Sequence, residues 1–403
     1  IQDSLVGSEM CIRDSDSSGA ETYGTISTFA ESSYQPGKFW AGTDDGLVHL
    51  STDGGKHWEN VTPKDLPEWA YIYCIETSTY DPDVLYLSAT RYKLDDYRPY
   101  LYKSVDGGKN WKNICGNYPE NEISRVIRED PKNPGLLLVG SETGIFFSHN
   151  DGANWNRLGG NLPVVPVYDL KIKDDEMVVA THGRSFWILD DLNPIRESSR
   201  FKAEEDFHFF PPKSTFRRTL NWSTNLFMGD GKNYSPAFGI PGTSYVSEDK
   251  HGEKQTRYLD LGENPPQGVI FHYVLNDPEN SKLELQILDS KGNLIDTFET
   301  KQEDKVSGQT ENDDEEDQKP ALTSSKGLNR FVWNMRYPGP AEKIDKTLEQ
   351  KRYKALGRGE MGERGGPTAM PGTYQAVLRI ENTKQEHHFE ILKDPRLETS
   401  EED

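Results

Sequence analysis

Apolar residues along this chain fall in short runs bounded by turn residues, the pattern of strands and not of long amphipathic helices. In the first half the runs come in pairs: Phe39-Trp40-Ala41-Gly42 then Leu47-Val48-His49-Leu50, and Leu136-Leu137-Leu138-Val139-Gly140 then Ile145-Phe146-Phe147. Between them Val84-Leu85-Tyr86-Leu87-Ser88 and Tyr100-Leu101-Tyr102 form a third pair. In the second half alternation is cleaner. Phe331, Trp333, Met335 and Tyr337 share one face of a predicted strand, while Arg330, Val332, Asn334 and Arg336 take the other. Further strands are expected at 269–275, 283–288, 294–298, 374–380 and 388–392, with a hairpin turn at Asp289–Asn293.

Each strand pair of the first half leads into the same turn. Ser51-Thr52-Asp53-Gly54-Gly55-Lys56-His57-Trp58 returns as Ser104-Val105-Asp106-Gly107-Gly108-Lys109-Asn110-Trp111, then as Ser148-His149-Asn150-Asp151-Gly152-Ala153-Asn154-Trp155. The copies lie roughly 45 to 55 residues apart, about one four-stranded propeller blade. The serine hydroxyl and aspartate carboxylate suit hydrogen bonds to backbone groups inside a hairpin turn. Glycine allows positive φ there, and the tryptophan is expected to bury its ring between neighbouring blades. Asn150 replaces the aspartate in the third copy and keeps the neutral form of the bond. A fourth unit, Val167–Ile172, Met177–Thr181 and Ser185–Asp191, lacks the turn. With a partial unit around Tyr23–Phe29, about four to five blades are expected, fewer than closed propellers usually have, so the chain reads as part of a larger protein.

The expected fold is therefore all-β: a partial Asp-box β-propeller over residues 16–205, a crossover segment over 206–254, and an immunoglobulin-like antiparallel β-sandwich over 255–397. An acidic loop near 301–320 carries Glu311-Asn312-Asp313-Asp314-Glu315-Glu316-Asp317, a self-repelling run that reads as disordered. A length of 403 residues suits two domains, and 43 aromatic side chains (8 Trp, 19 Tyr, 16 Phe) suit thin sheets better than helices. The formal charge of −21 argues against nucleic-acid or anionic-membrane partners, and no segment approaches the roughly 20 apolar residues of a membrane span. Of the 3 cysteines, Cys74 and Cys115 are too few for a disulfide framework.

The repeats resemble the Asp-box, or bacterial neuraminidase repeat. Residues 36–197, and most specifically VVATHGRSFWILDDLNPIRE at 178–197, resemble the last part of a sortilin-type (VPS10-like) propeller in bacterial BNR-repeat "glycosyl hydrolase" proteins. GNLIDTF, GLNRFVWNMRYPGP and MPGTYQAVLRI resemble a flagellar-hook-cap type of Ig-like domain. Residues 1–15, with Cys11, resemble a translated adapter and are set aside from the fold. The resemblance implies an exported protein, secreted, periplasmic or on the cell surface. Its hydrolase label rests on the repeat, and turn chemistry accounts for the repeat. Ser51, Asp53, Gly55 and Trp58, with Ser104, Asp106, Gly108 and Trp111, and Ser148, Asn150, Gly152 and Trp155, are accordingly read as structural.

Candidate site residues lie on loops. His182 and Arg184 flank a glycine turn and could hold an anion or sugar, or Arg184 could pair with Asp190 or Asp191. The insertion carrying Arg91, Tyr92, Asp95, Asp96 and Tyr97 has the composition of a recognition surface. Asp169 is the one weak catalytic candidate. Glycosidase chemistry needs a second carboxylate across a cleft, and spacing nominates none. No metal-ligand spacing and no cofactor motif stand out. The expected function is a non-catalytic extracytoplasmic scaffold that binds protein, peptide or glycan. The alternative is a fragment of a polysaccharide-active glycoside hydrolase whose remaining cleft lies in other blades.

Overall fold

A computed structural model describes residues 24–201, 205–217, 231–235, 242–248, 254–258, 266, 268–276, 282–300, 320–339, 366–381 and 383–396. The chain divides into two compact units, Ile1–Ser199 and Arg200–Asp403. The adapter-like segment and the acidic run at 311–317 lie outside the described residues.

The first unit is a series of antiparallel meanders in chain order. The first joins β1 (Ile26–Glu31), β2 (Phe39–Thr43), β3 (Val48–Ser51) and β4 (Glu59–Asn60). The second joins β5 (Tyr71–Thr77), β6 (Leu85–Arg91), β7 (Asp96–Ser104) and β8 (Lys112–Asn113). The third joins β9 (Ser124–Glu129), β10 (Leu137–Ser141), β11 (Ile145–Ser148) and β12 (Asn156–Arg157). The fourth has β13 (Val167–Lys173), β14 (Glu176–Thr181) and β15 (Phe186–Leu189), followed by a short helix, α1 (Asn193–Glu197). The leading strands are neighbours, β1 on β5, β5 on β9 and β9 on β13, and β5, β9 and β13 each also pack on the second strand of the sheet before. Successive four-stranded meanders with their first strands side by side make a β-propeller arc, here of four blades among the described residues.

Core side chains lie between blades. Trp40, Ile72, Leu87 and Tyr102 fill the junction of the first two, and Leu101, Ile127, Val139 and Trp155 belong to the next cluster. Small residues let adjacent blades approach. A Cβ on Gly140 of β10 would stand 2.7 Å from Val167 Cγ1 of the next blade and 2.8 Å from Val126 Cγ1. Residues at the outer faces of the arc differ from their counterparts inside it. Ile72 and Val167 are fully buried, while Ile26, at the equivalent register, is 58% exposed. On the far face Phe186 is 72% exposed where Val48, Leu101 and Ile145 are buried.

The second unit is also all β. Strands β16 (Phe207–Phe209) and β17 (Thr215–Arg217) precede a separate hairpin sheet of β18 (Gly231–Ser235), β19 (Gly242–Glu248) and β20 (Lys254–Tyr258). Then come β21 (Val269–Leu275), β22 (Leu283–Leu288), β23 (Leu294–Glu299), β24 (Gly327–Trp333), β25 (Gly372–Ile380) and β26 (Thr383–Lys393). Sheet β16-β21-β24 and sheet β17-β26-β25-β22-β23 share one apolar core that includes Phe271, Trp333, Ile287, Leu378 and Phe389, so they form a two-sheet sandwich. The segment read from sequence as a crossover supplies two of these strands: β16 pairs antiparallel with β21, and β17 parallel with β26. The strand expected through Tyr337 stops at Trp333, because Met335 takes φ 57°. Phe331, Trp333 and Met335 nevertheless all reach the core.

Candidate functional site

The repeated turns occupy one rim of the arc. Ser51 Oγ donates to Asp53 Oδ1 at 3.0 Å and accepts from Gly55 N–H at 2.9 Å, and the same oxygen of Asp53 accepts from the N–H groups of Lys56 and His57. The second copy repeats this with Ser104, Asp106, Gly108 and Asn110, and the third with Ser148, Asn150, Gly152 and Asn154. Two consecutive positive φ values shape each turn. Asp151 at 55° stands where the other copies have Gly54 and Gly107, a conformation aspartate tolerates better than most residues. Hydrogen bonds from the His57 backbone hold Asp53 well below the usual carboxylate range. The Asn110 side chain, then its backbone, lowers the Asp106 carboxyl.

The tryptophans seat on the preceding blade. Trp111 Nε1 donates to Val61 O at 2.7 Å and Trp155 Nε1 to Ile114 O at 2.9 Å, carbonyls at equivalent points just after β4 and β8. Trp155 is 4% exposed and Trp111 half-buried. Trp58 departs from the expected burial between blades. It is 41% exposed and its Nε1 donates to Gly55 O of its own turn, because no blade precedes its own among the described residues.

The opposite rim, where β2 turns into β3, is built differently. Every leading strand carries a register shift at the same point: between Ile26 and Thr28, between Ile72 and Cys74, opposite Gly140 in β9, and between Val167 and Asp169. A bulge re-aims one side chain. The extra residues are Ser27, Tyr73, Arg125 and Tyr168, and all four line one cavity of about 420 Å³. Ser27 Oγ bonds Ile72 O of the next blade at 2.7 Å, and Ser88 bonds Arg125 O, so the bulges also tie blades together.

Arg125 is the fixed centre. Its guanidinium carbon lies 4.3 Å from the Tyr168 ring centroid, 5.3 Å from Tyr92 and 5.5 Å from Tyr73, and Nη2 meets Glu142 Oε2 at 2.6 Å. Such cation–π stacking with a carboxylate partner holds the charge despite burial. Burial opposes the charge on Arg125, but Glu142 outweighs it and raises its pKa. Burial pushes the Tyr73 phenol up to about 12 and raises Tyr92. Both shifts favour the neutral, hydrogen-bonding form of the phenol.

Of the residues nominated from sequence, Arg91 and Tyr92 line this cavity. His182 stands just behind it, stacked on Tyr168 at 4.6 Å with 17° between the rings. Asp96 braces Arg91 from outside, Nη1 to Oδ2 at 3.0 Å, and also binds Arg98 and Tyr100. Asp95 ends a single 3₁₀ turn at φ 56°, Tyr97 is exposed, and Arg184 offers its carbonyl to Trp187 Nε1; none of the three lines the cavity.

Asp169 lines a second cavity, about 410 Å³, along the leading strands. Its Oδ1 meets Arg128 Nη2 at 2.8 Å, while Glu76 Oε2 meets Arg128 Nη1 at 3.1 Å. Arg128 also donates to Cys74 Sγ and Leu170 O. Burial raises the Glu76 carboxyl and the Cys74 thiol, with Arg128 opposing both. Cys74 and Cys115 are free thiols, and no three potential ligand side chains group as a metal site among the described residues.

Sequence reading missed Ser27, Trp69, Tyr71, Tyr73, Glu76, Arg125, Arg128 and Tyr168. One signal was available: Ile26 and Phe29, Ile72 and Ile75, Val167 and Leu170 stand three residues apart where a regular strand would space them by two.

No family model matches the chain, and no curated protein matches it. Among solved structures it is similar to YCF48 from Cyanidioschyzon merolae, at 16% identity and TM-score 0.33, over 43% of this chain and 55% of that one. It is similar to YCF48 bound to D1 peptide at 13% identity and TM-score 0.31, over 68% of each chain. It is also similar to the GH74 xyloglucanase from Xanthomonas campestris at 14% identity and TM-score 0.34, over 62% of this chain and 42% of that one. The chain thus spans about half the length of the first of these. The propeller assignment rests on the sheet order and repeated register. No helix among the described residues is long and apolar enough to cross a membrane.

Proposed function

We propose that the propeller unit is a non-catalytic binding scaffold whose ligand, a glycan, peptide or protein segment, enters the tyrosine-walled cavity on the bulged rim. One observation carries this reading: four bulges, one per blade, turn Ser27, Tyr73, Arg125 and Tyr168 toward one point beside the inserted loop. Bulges cost ladder hydrogen bonds and recur where a side chain must be aimed. An aromatic cavity of this size with a few fixed polar groups matches small-ligand sites in general. The repeated turns support an architectural role on the other rim, since their carboxylates are engaged within the turns themselves. Placement outside the cytoplasm, the sortilin-type relationship and the Ig-like character of the sandwich follow the resemblance of the sequence motifs. Screening the chain against glycan and peptide arrays tests the proposal. Hits should weaken at least tenfold in Trp69→Ala and Tyr168→Ala, and hits indifferent to both variants would refute it.

A hydrolase fragment is the second reading, favoured by Glu76 standing with Asp169 on Arg128. Burial keeps Glu76 disposed to protonation while Asp169 lies more open, the asymmetry an acid–base pair uses. The shared guanidinium argues the other way, because it neutralises both groups in place. Polysaccharide hydrolysis abolished by Asp169→Asn and by Glu76→Gln would establish this reading over the first.

A further inference from the structure

We propose that two copies of this chain join head to tail, each fourth blade receiving the first blade of the other copy, to close one propeller ring.

Every junction inside the arc joins the same two faces. The far face of a blade is made by alternate residues of its second and third strands, such as Trp40, Gly42, Val48 and Leu50 in the first blade. The leading face of the next blade lies against it, so closely that a Cβ on Gly42 would stand 2.4 Å from Ile72 Cγ2. Register makes Gly42, Ser88, Gly140 and Ala180 equivalent, each opposite the first residue of a covered or coverable third strand: Val48, Leu101, Ile145 and Phe186. The fourth blade thus keeps the small residue that admits a following blade.

Its far face is apolar throughout, with Val178 and Ala180 beside Phe186 and Ile188, which are 72% and 59% exposed. Leu192 and Ile195, where the chain leaves this blade, pack into the cluster shared with the third blade, on the other side. The opposite end of the arc carries the matching half. Ile26 stands where Ile72 and Val167 are buried, and Phe29, 54% exposed, stands where Ile75, Ile127 and Leu170 are buried.

One chain therefore displays both halves of an interface that it already forms three times within itself. Exposed apolar faces of this kind mark association sites. Two arcs closing on each other give two identical junctions related by a two-fold axis, the commonest oligomeric symmetry. Twice the four blades described is an eight-bladed ring, within the range of roughly four to eight blades, whereas three arcs would exceed it. The outer rim of each junction stays open. The fourth blade ends at β15 among the described residues, so Trp58 meets no seat like those of Trp111 and Trp155.

Sedimentation equilibrium of the whole chain should show a reversible dimer and nothing larger. Added salt should tighten it, because the contact is apolar and copies of formal charge −21 repel. Ile26→Asp and Phe186→Asp each put a charge into the contact and should weaken pairing by roughly tenfold or more. Both residues are exposed in the single chain, so the melting temperature of dilute protein should not change. Mixed in equal amounts, the two variants should pair better than either alone, since one junction of the mixed pair is then free of added charge. A chain that stays monomeric at high concentration overturns the proposal and leaves both faces to blades outside this chain. A dimer that only one substitution weakens, or that neither does, overturns it by placing the contact elsewhere. Growth beyond two chains overturns the closed ring.

Discussion

The two rims of the propeller arc repeat in different ways. On one, residues and backbone repeat together: three turns share serine, an aspartate or asparagine, glycine and tryptophan, and their hydrogen bonds agree within about 0.2 Å. On the other, only the backbone repeats. The bulge recurs in every blade, but the residue it presents is serine, tyrosine, arginine, then tyrosine. A turn whose side chains bond their own backbone constrains those side chains. A bulge constrains φ and ψ and leaves its side chain open to selection for something else. Repetition of residues marks the architecture, and variation on a repeated backbone marks the rim proposed above to meet a ligand.

Three substitutions bear on this contrast. Trp155→Ala removes a ring buried between blades and should destabilise the unit by about 3–5 kcal/mol, whereas Trp58→Ala, on an uncovered face, should stay within about 0.5 kcal/mol. Urea unfolding of both reads the difference. Equal losses would mean that the first turn is as enclosed as the third. Next comes Gly140→Val, which drives a side chain into Val126 and Val167. It should cost about 1–3 kcal/mol by the same measurement, and a neutral result would show that blade approach at the bulge is not tight.

The smallest effect concerns acid. Asp53 and Asp106 have folded-state pKa values below their unfolded ones, so their turns add stability above the ordinary carboxylate range, and that stability fades as pH falls below roughly 4. The double variant Asp53→Asn, Asp106→Asn copies the third turn and should show a shallower fall in stability between about pH 4 and pH 2. A parallel acid limb for variant and parent would place the acid sensitivity elsewhere.

The tryptophans show where sequence reading stops. All three turns spell the same contact, and the hydrogen bonds inside each turn follow from that spelling. Burial of the ring does not, because its seat is a carbonyl of the preceding blade: Val61, 50 residues before Trp111, and Ile114, 41 residues before Trp155. Trp58 has the same sequence signal and lacks the seat. In the sandwich, similarly, alternation placed Phe331 and Trp333 on the core face, but the pairing of β17 with β26 joins segments far apart in the chain.

The sequence by itself determined the local geometry: strands from apolar runs, turns from serine, aspartate and glycine, and the spacing of one blade to the next. Those features depend on neighbours within a few residues, so the chain carries them explicitly. Tertiary structure decided the cavity. Tyr73, Arg125 and Tyr168 come from three different blades, and no local rule relates them. They meet because four blades align their bulges. That alignment depends on how sheets stack, a long-range packing outcome the local pattern does not encode.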